Sequence, residues 1–171
     1  MISERAEAVG RRLGSDLITA RPRPDEWSAA ECLMHLQITA KAYLPIWEEA
    51  SRGADALGSD SDTPFKLDLW GRFFTWFLDP PPKVRFAAPG GFEPPTDRTS
   101  LTFALSSFLC LQDEILTLIN NAKLLPLDRI AVRSAFTKYV RYSLWSSLCA
   151  NAAHQRRHVW QAERVASALG R

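Results

Sequence analysis

The sequence predicts an all-α protein: a four-helix bundle with long crossover connections and a short extra aromatic helix between the second and third long helices. Four long segments carry apolar residues at spacings of three and four, which is the period of an amphipathic helix. No segment alternates polar and apolar residues for long enough to make a sheet. Helices must therefore supply the core.

Length and composition indicate one globular domain over residues 1–171. The chain is 46% hydrophobic and 23% charged, which excludes disordered and low-complexity proteins. Its net charge of +2 comes without a basic block, so we expect no nucleic-acid partner. The first dozen residues mix acids and bases, and the longest uncharged stretches are short and polar. With three cysteines that suit reduced thiols, we expect a cytoplasmic protein with no membrane partner.

The first two helices have clear sequence boundaries. Apolar residues recur at helical spacing from about Ile2 to Ile18, and prolines follow. The second helix begins after Ser28, which together with Glu31 has the spacing of a capping box. It extends to about Ser51, and Pro45 inside it is expected to kink or locally break it.

The rest of the chain divides into connections and two further long helices. Arg52 to Thr63, rich in Gly, Ser and Asp, predicts a surface linker. The aromatic segment from Phe65 to Leu78 predicts the short extra helix, and an irregular loop is predicted from Pro80 to Pro95. The third long helix is predicted from about Asp97 to Ala122, and the last from about Thr137 to Ala168.

The core-facing stripe of the last helix is unusually polar at its centre. Steps of four and three give this stripe: Val140, Leu144, Ser147, Asn151, His154, His158, Gln161, Val165 and Ala168. Both of its ends are apolar, while its five central residues are all polar. A buried polar group costs about 1–3 kcal/mol unless it finds a partner. A ligand or a polar partner must therefore satisfy this stripe.

The histidines are the candidate metal ligands. His154 and His158 lie one helical turn apart, where two imidazoles can bind one ion; this spacing alone is a weak signal, which the polar stripe strengthens. His35, on the second helix, fits a core histidine bonded to a carbonyl if taken alone. If it meets the other two, the site has three ligands and one open position, the pattern of catalytic zinc. Gln155 stands where HExxH peptidases carry their general base, which disfavours that chemistry.

Three short motifs occur in order along nearly the whole chain: Trp27-Ser28-x-x-Glu31-x-x-x-His35-Leu36, Tyr142-Ser143-Leu144, and His154-x-x-x-His158-x-x-Gln161. In these motifs the chain resembles the DinB-like (DinB/YfiT) superfamily of metal-binding four-helix bundles. The resemblance implies that His35, His154 and His158 hold a divalent metal. Around them, Asn151 and Gln161 are expected to orient the ligands or bound water, and Ser147 to line the pocket.

The resemblance also implies a range of activities. Several members of the superfamily are transferases or isomerases that use a low-molecular-weight thiol such as bacillithiol or mycothiol. Our first hypothesis is a metal-dependent enzyme, with zinc or nickel as cofactor, acting on a small molecule as a thiol-dependent S-transferase or isomerase or as a hydrolase. The competing hypothesis is a non-catalytic module that binds the metal or a small ligand, and a third is a metal-free bundle whose polar stripe serves assembly.

Other reactive and charged side chains have simpler interpretations. Packing roles are predicted for Cys32, Cys110 and Cys149. Solvent-exposed positions are predicted for Asp113, Glu114, Arg157 and Arg164. Two alternatives stay open, since Cys32 lies one turn before His35 and could approach the metal, and the arginines could meet an anionic substrate.

The aromatic segment raises the question of a partner. Its rings, Trp70, Phe73, Phe74 and Phe77, recur at helical spacing between proline and glycine, and such a short segment cannot bury them all within itself. It therefore covers the pocket of the bundle as a lid or forms a contact surface. We expect a homodimer, with the lid as the alternative.

Overall fold

Helices dominate the structure and confirm the all-α prediction. The computed structural model describes residues 1–54, 64–84, 87–97 and 101–170. The helices in these ranges are α1 (Ile2–Leu17), α2 (Ala29–Arg52), α3 (Leu69–Leu78), α4 (Ala104–Ala122) and α5 (Leu144–Leu169). A small antiparallel hairpin of β1 (Ala131–Arg133) and β2 (Arg141–Ser143) precedes α5. None of the described helices combines the length and the apolar character that crossing a bilayer requires.

The start of α2 forms the predicted capping box. The backbone N–H of Glu31 donates to Ser28 Oγ at 3.1 Å, and the backbone N–H of Ser28 donates to the Glu31 carboxylate at 2.8 Å. The helix then runs through Pro45 to Arg52 as one element, so the local break does not occur, and the kink, the other outcome expected at Pro45, stays a prediction. Pro45 and Lys41, whose carbonyl loses its helical donor, both lie on the exposed side. A single proline on the exposed side of the helix is therefore accommodated without ending it.

The core has two parts, and α5 passes through both. α5 packs against α1, α2 and α3, and α2 also packs against α4. One cluster joins α1 to the first half of α2 and includes Leu33 and Phe108. The other joins the second half of α2 to α4 and the hairpin and includes Trp47. This packing brings α2 and α5 side by side, which sets the position of the histidines.

The last helix begins later than the sequence predicts. α5 starts at Leu144 instead of Thr137, because Ser143 caps it by accepting a hydrogen bond from the Ser146 N–H at 3.1 Å. Residues before this cap belong to β2 and its turn, and strands of three residues are too short to show a period of two. The uninterrupted part of α4 starts at Ala104, after the non-helical Phe103. Before this interruption Leu101 and Thr102 are helical, and the Leu101 N–H donates to the Asp97 carbonyl oxygen at 3.3 Å, while residues 98–100 lie outside the described ranges.

The connections agree with the sequence where they can be compared. The predicted linker falls mostly on residues 55–63, outside the described ranges. Residues 80–84 and 87–97 contain no helix or strand, as predicted for this loop. The aromatic segment forms α3, capped by Asp68, which accepts from the Gly71 N–H at 2.7 Å. α3 lies close against α5, since a Cβ at Gly71 would stand 2.2 Å from Ser146 Oγ.

Candidate metal centre

The structure brings all three histidines of the chain together between α2 and α5. The ring centroid of His35 lies 5.1 Å from that of His154 and 4.6 Å from that of His158. The rings of His154 and His158, one turn apart on α5, lie 4.7 Å apart. One ring nitrogen from each residue can be chosen so that all three lie within 4.8 Å of one another. This group could bind a metal ion.

A backbone carbonyl sets the tautomer of His35. The Nδ1 atom of His35 lies 2.6 Å from the carbonyl oxygen of Phe92, which can only accept, so Nδ1 carries the hydrogen. In the neutral ring Nε2 is then a bare acceptor, and it lies 3.2 Å from Nε2 of His154. A carbonyl bonded to the other ring nitrogen in this way commonly orients a metal-binding imidazole.

The arrangement of nitrogens fits a small divalent cation. With zinc–nitrogen bonds of ~2.0–2.1 Å, two ligands of a tetrahedral ion stand ~3.3 Å apart, close to the His35–His154 separation. The Nδ1 atom of His158 is buried and has no hydrogen-bond partner among the described residues. A buried polar atom without a partner is costly, and a cation bound at that atom would remove the cost.

Burial keeps the three rings neutral. Desolvation lowers the pKa of His35, although the hydrogen bond to the Phe92 carbonyl raises it. Desolvation, followed by the charges of His35 and Arg157, lowers the pKa of His154 to about 3. The pKa of His158 is lowered well below its usual value, again mainly by burial, while an interaction with the Gln161 side chain raises it. Neutral imidazole is the form that binds a metal, so near neutral pH no proton has to leave these rings before a metal can bind.

Two contacts of the cluster were missed in the sequence analysis. The indole of Trp27 lies 5.1 Å from the His35 ring and stacks on His158 at 5.9 Å between centroids. Its position directly before the helix cap was visible in the sequence, but nothing there pointed to the histidines. The Phe92 carbonyl is a backbone group, so residue type gives no signal for it.

Arg157 is not the solvent-exposed residue that the sequence predicts. Only 7% of it is exposed, and its guanidinium donates to the Val84 carbonyl oxygen at 2.6 Å. Burial lowers the pKa of Arg157. The loop after α3 packs against this side of α5 and covers the arginine, which helical periodicity alone could not show. Arg164, by contrast, is exposed as predicted.

The remaining candidate residues take different positions. Ser147 is buried two turns before His154, and its hydroxyl accepts from the indole N–H of Trp47 at 2.8 Å. Asn151 and Gln161 are half-buried on α5. Ala168, predicted on the core stripe, is exposed.

The three cysteines differ in burial, and the acidic residues of α4 are exposed. Cys32 is fully buried and is not one of the grouped ligands, and burial raises the pKa of its thiol. Cys149 is half-buried, but Cys110 is exposed, so its predicted packing role was wrong. It lies on the outer side of α4, where no described helix covers it. Asp113 and Glu114 are exposed as predicted.

Comparison with known proteins identifies the family. A family model described as the DinB superfamily matches residues 3–162. The chain belongs to the DinB superfamily. No curated protein and no solved structure matches it significantly. The match spans both helices that carry the histidines, so the cluster of this DinB-superfamily protein lies within the family's own fold and not in an appended segment.

Proposed function

We propose that this protein is a metal-dependent enzyme in which His35, His154 and His158 hold Zn²⁺ or Ni²⁺ and leave one coordination position open. The observation that carries the proposal is the convergence of three histidines, His35 and His158 buried and His154 half-buried, whose ligand nitrogens lie within 4.8 Å of one another. A divalent cation here would lower the pKa of a thiol or water that binds beside it, which supplies a nucleophile near neutral pH.

The protein's own residues hold and shape this site. The Phe92 carbonyl keeps the His35 hydrogen on Nδ1 and directs Nε2 into the cluster. The Trp27 ring covers His35 and His158 and limits the access of water to them. Arg157 adds a buried positive charge that acts on His154 and His158.

Charge favours an anionic substrate or co-substrate. The ligand cluster in the described residues contains no carboxylate, so a divalent cation and Arg157 would leave the site positively charged. A small anion or an ionised thiol would neutralise it. The reaction classes we propose are therefore S-transfer or isomerisation with a low-molecular-weight thiol, or hydrolysis, on a small molecule.

The alternative function is a module that binds the metal or a small ligand without turnover. One observation favours it: among the described residues, no carboxylate joins the histidines and could act as a general acid or base. Both functions use the same ligands, so they differ in turnover and not in metal content.

Elemental analysis of protein purified without a metal-affinity tag tests the site. We expect one zinc or nickel ion per chain in the wild type, loss of the metal in His158→Ala, and full retention in Ser167→Ala, an exposed position on the same helix. Failure of the wild type to bind either metal in a direct titration would overturn the site. A thiol-conjugation screen with electrophilic acceptors then separates the functions, because metal binding without turnover supports the module.

A further inference from the structure

A second concave site lies away from the histidines. A groove of ≈ 890 Å³ runs between the second half of α2 and the β1–β2 hairpin with its turn. Ile46 and Ala50 of α2 and Phe136 of the turn give it apolar walls, and its described lining includes none of the three histidines. Ile46 follows His35 by three helical turns, which is ~16 Å along the axis. The groove is therefore a separate place on the molecule.

Two arginines face each other along one wall of this groove. Arg133 of β1 and Arg141 of β2 are direct cross-strand partners, so their side chains emerge on the same face of the hairpin. Both are exposed and both line the groove. Like charges placed directly opposite each other destabilise a strand pair. The hairpin therefore carries an unfavourable pair at this position.

Nothing in the described protein neutralises these arginines. The ion pairs within the described ranges involve neither Arg133 nor Arg141. Lys138 adds a third cation to the lining, and Glu49 is the single carboxylate among the described lining residues. The groove is left with an excess of positive charge beside an apolar surface. A bound anion would turn the repulsion between the arginines into attraction.

We propose that this groove binds a small amphipathic carboxylate. The carboxylate lies between the guanidinium groups of Arg133 and Arg141, whose planar forks suit two parallel hydrogen bonds to its oxygens. The apolar body lies against Ile46 and Phe136. The modest excess of charge suits one carboxylate better than a polyanion such as a nucleic acid.

Calorimetric titration with three probes tests the site on the full chain. Octanoate carries both the anion and the apolar body, acetate lacks the body, and octylamine reverses the charge. We expect octanoate to bind and the other two to bind at least about tenfold more weakly, because each loses one of the two contributions. The titrations use metal-stripped protein, because a carboxylate could also occupy the open position of a metal bound at the histidines, and this keeps the test independent of the proposed metal centre.

Variants locate the binding. Arg141→Gln and the Arg133→Gln, Arg141→Gln double variant should each weaken octanoate binding at least about tenfold. Arg129→Gln, which removes an exposed arginine outside the groove, should leave it unchanged. Both groove variants should melt no lower than the wild type, since they relieve repulsion between like charges. Undetectable octanoate binding at millimolar concentration, equal binding of octylamine, or full binding by the double variant would overturn the proposal.

Discussion

At the scale of single residues, burial controls the chemistry of the histidine cluster. His35 and His158 are almost fully buried, Trp27 covers both rings, and Arg157 places a positive charge nearby. Each of these features disfavours the imidazolium form. The sequence placed the histidines, but their protonation depends on burial and on neighbours such as Trp27 and Arg157.

The first prediction concerns these protonation states in metal-free protein. The ring signals of His154 and His158 should not titrate between pH 8 and pH 5 in an NMR experiment, because their pKa values are lowered by burial. Since the unfolded chain takes up protons at a pKa of about 6.5, the stability of the metal-free protein should fall as the pH drops below that value.

Trp27→Ala provides the comparison for this titration. Removing the indole admits water to the His35 and His158 rings, so their pKa values should rise toward the ordinary value. His154, which has no ring contact with Trp27 of this kind, should change less. Wild-type rings that titrate near pH 6.5 would contradict the prediction.

At the scale of the elements, the capping box of α2 ties the helix start to the preceding loop. Glu31 is 2% exposed, accepts from the Ser28 N–H, and forms an ion pair with Arg21. These contacts hold the pKa of Glu31 below its ordinary value although burial raises it. Glu31 lies one turn before His35, so this cap also positions the candidate ligand.

The second prediction concerns this cap. Glu31→Ala should destabilise the protein by about 2 kcal/mol, because it leaves the Ser28 N–H buried without its acceptor and breaks the ion pair with Arg21. Ser28→Ala should cost about 1 kcal/mol. Glu26→Gln, which removes a looser pair with Arg23 at 3.6 Å, is the control and should cost at most about 0.5 kcal/mol. Urea unfolding measures all three, and a Glu31→Ala loss no larger than that of Glu26→Gln would refute the role of the cap.

The third prediction concerns α3. Phe74 and Phe77 are half-buried, whereas Leu69, Trp70, Phe73 and Trp76 are exposed. Exposed apolar patches of roughly several hundred Å² normally mark contacts, and we propose that a second copy of the chain covers these side chains. Light scattering should show a dimer for the wild type and a folded monomer for Phe73→Ser, Trp76→Ser.

The control for α3 is Ser167→Ala, which should stay dimeric because it lies on the exposed face of α5. A wild type that is monomeric throughout the micromolar range would exclude the homodimer. That result would favour the alternative, in which α3 covers the pocket as a lid, and this role is consistent with the packing of α3 on α5.

At the scale of the whole molecule, the apolar core is built without the histidine cluster. The two apolar clusters contain residues of every long helix and none of the histidines. A metal bound between α2 and α5 therefore adds a local link to a core that is already formed. This differs from small zinc domains, in which metal binding supplies the free energy of folding.

The fourth prediction follows from this independence. Chelation and His158→Ala should remove the metal but leave a cooperative melting transition and a helical circular dichroism spectrum. Leu33→Ala is the contrasting variant, because it opens a cavity in the core and should cost about 3 kcal/mol whether or not metal is bound. Collapse of the helical spectrum on chelation would show that the metal is structural.

The sequence by itself determined the helical class, the start of α2 and the family motifs. These features are local, because a capping box needs only Ser28 and Glu31, and an amphipathic helix needs only its own period. The start of α5 was less well determined, since the N–H groups of Leu144 and Trp145 donate to the carbonyl oxygens of Ile130 and Leu127, which precede the helix by more than a dozen residues.

Only the tertiary structure decided how the site is built. It placed His35 against His154 and His158 although 119 residues separate the bonded pair, and it buried Arg157 under a loop. It also brought Arg133 opposite Arg141 across a hairpin whose strands are too short to show a period of two in the sequence. The physical reason is the same in each case: these positions depend on which surfaces pack together, and packing between distant segments leaves no periodic trace in one sequence.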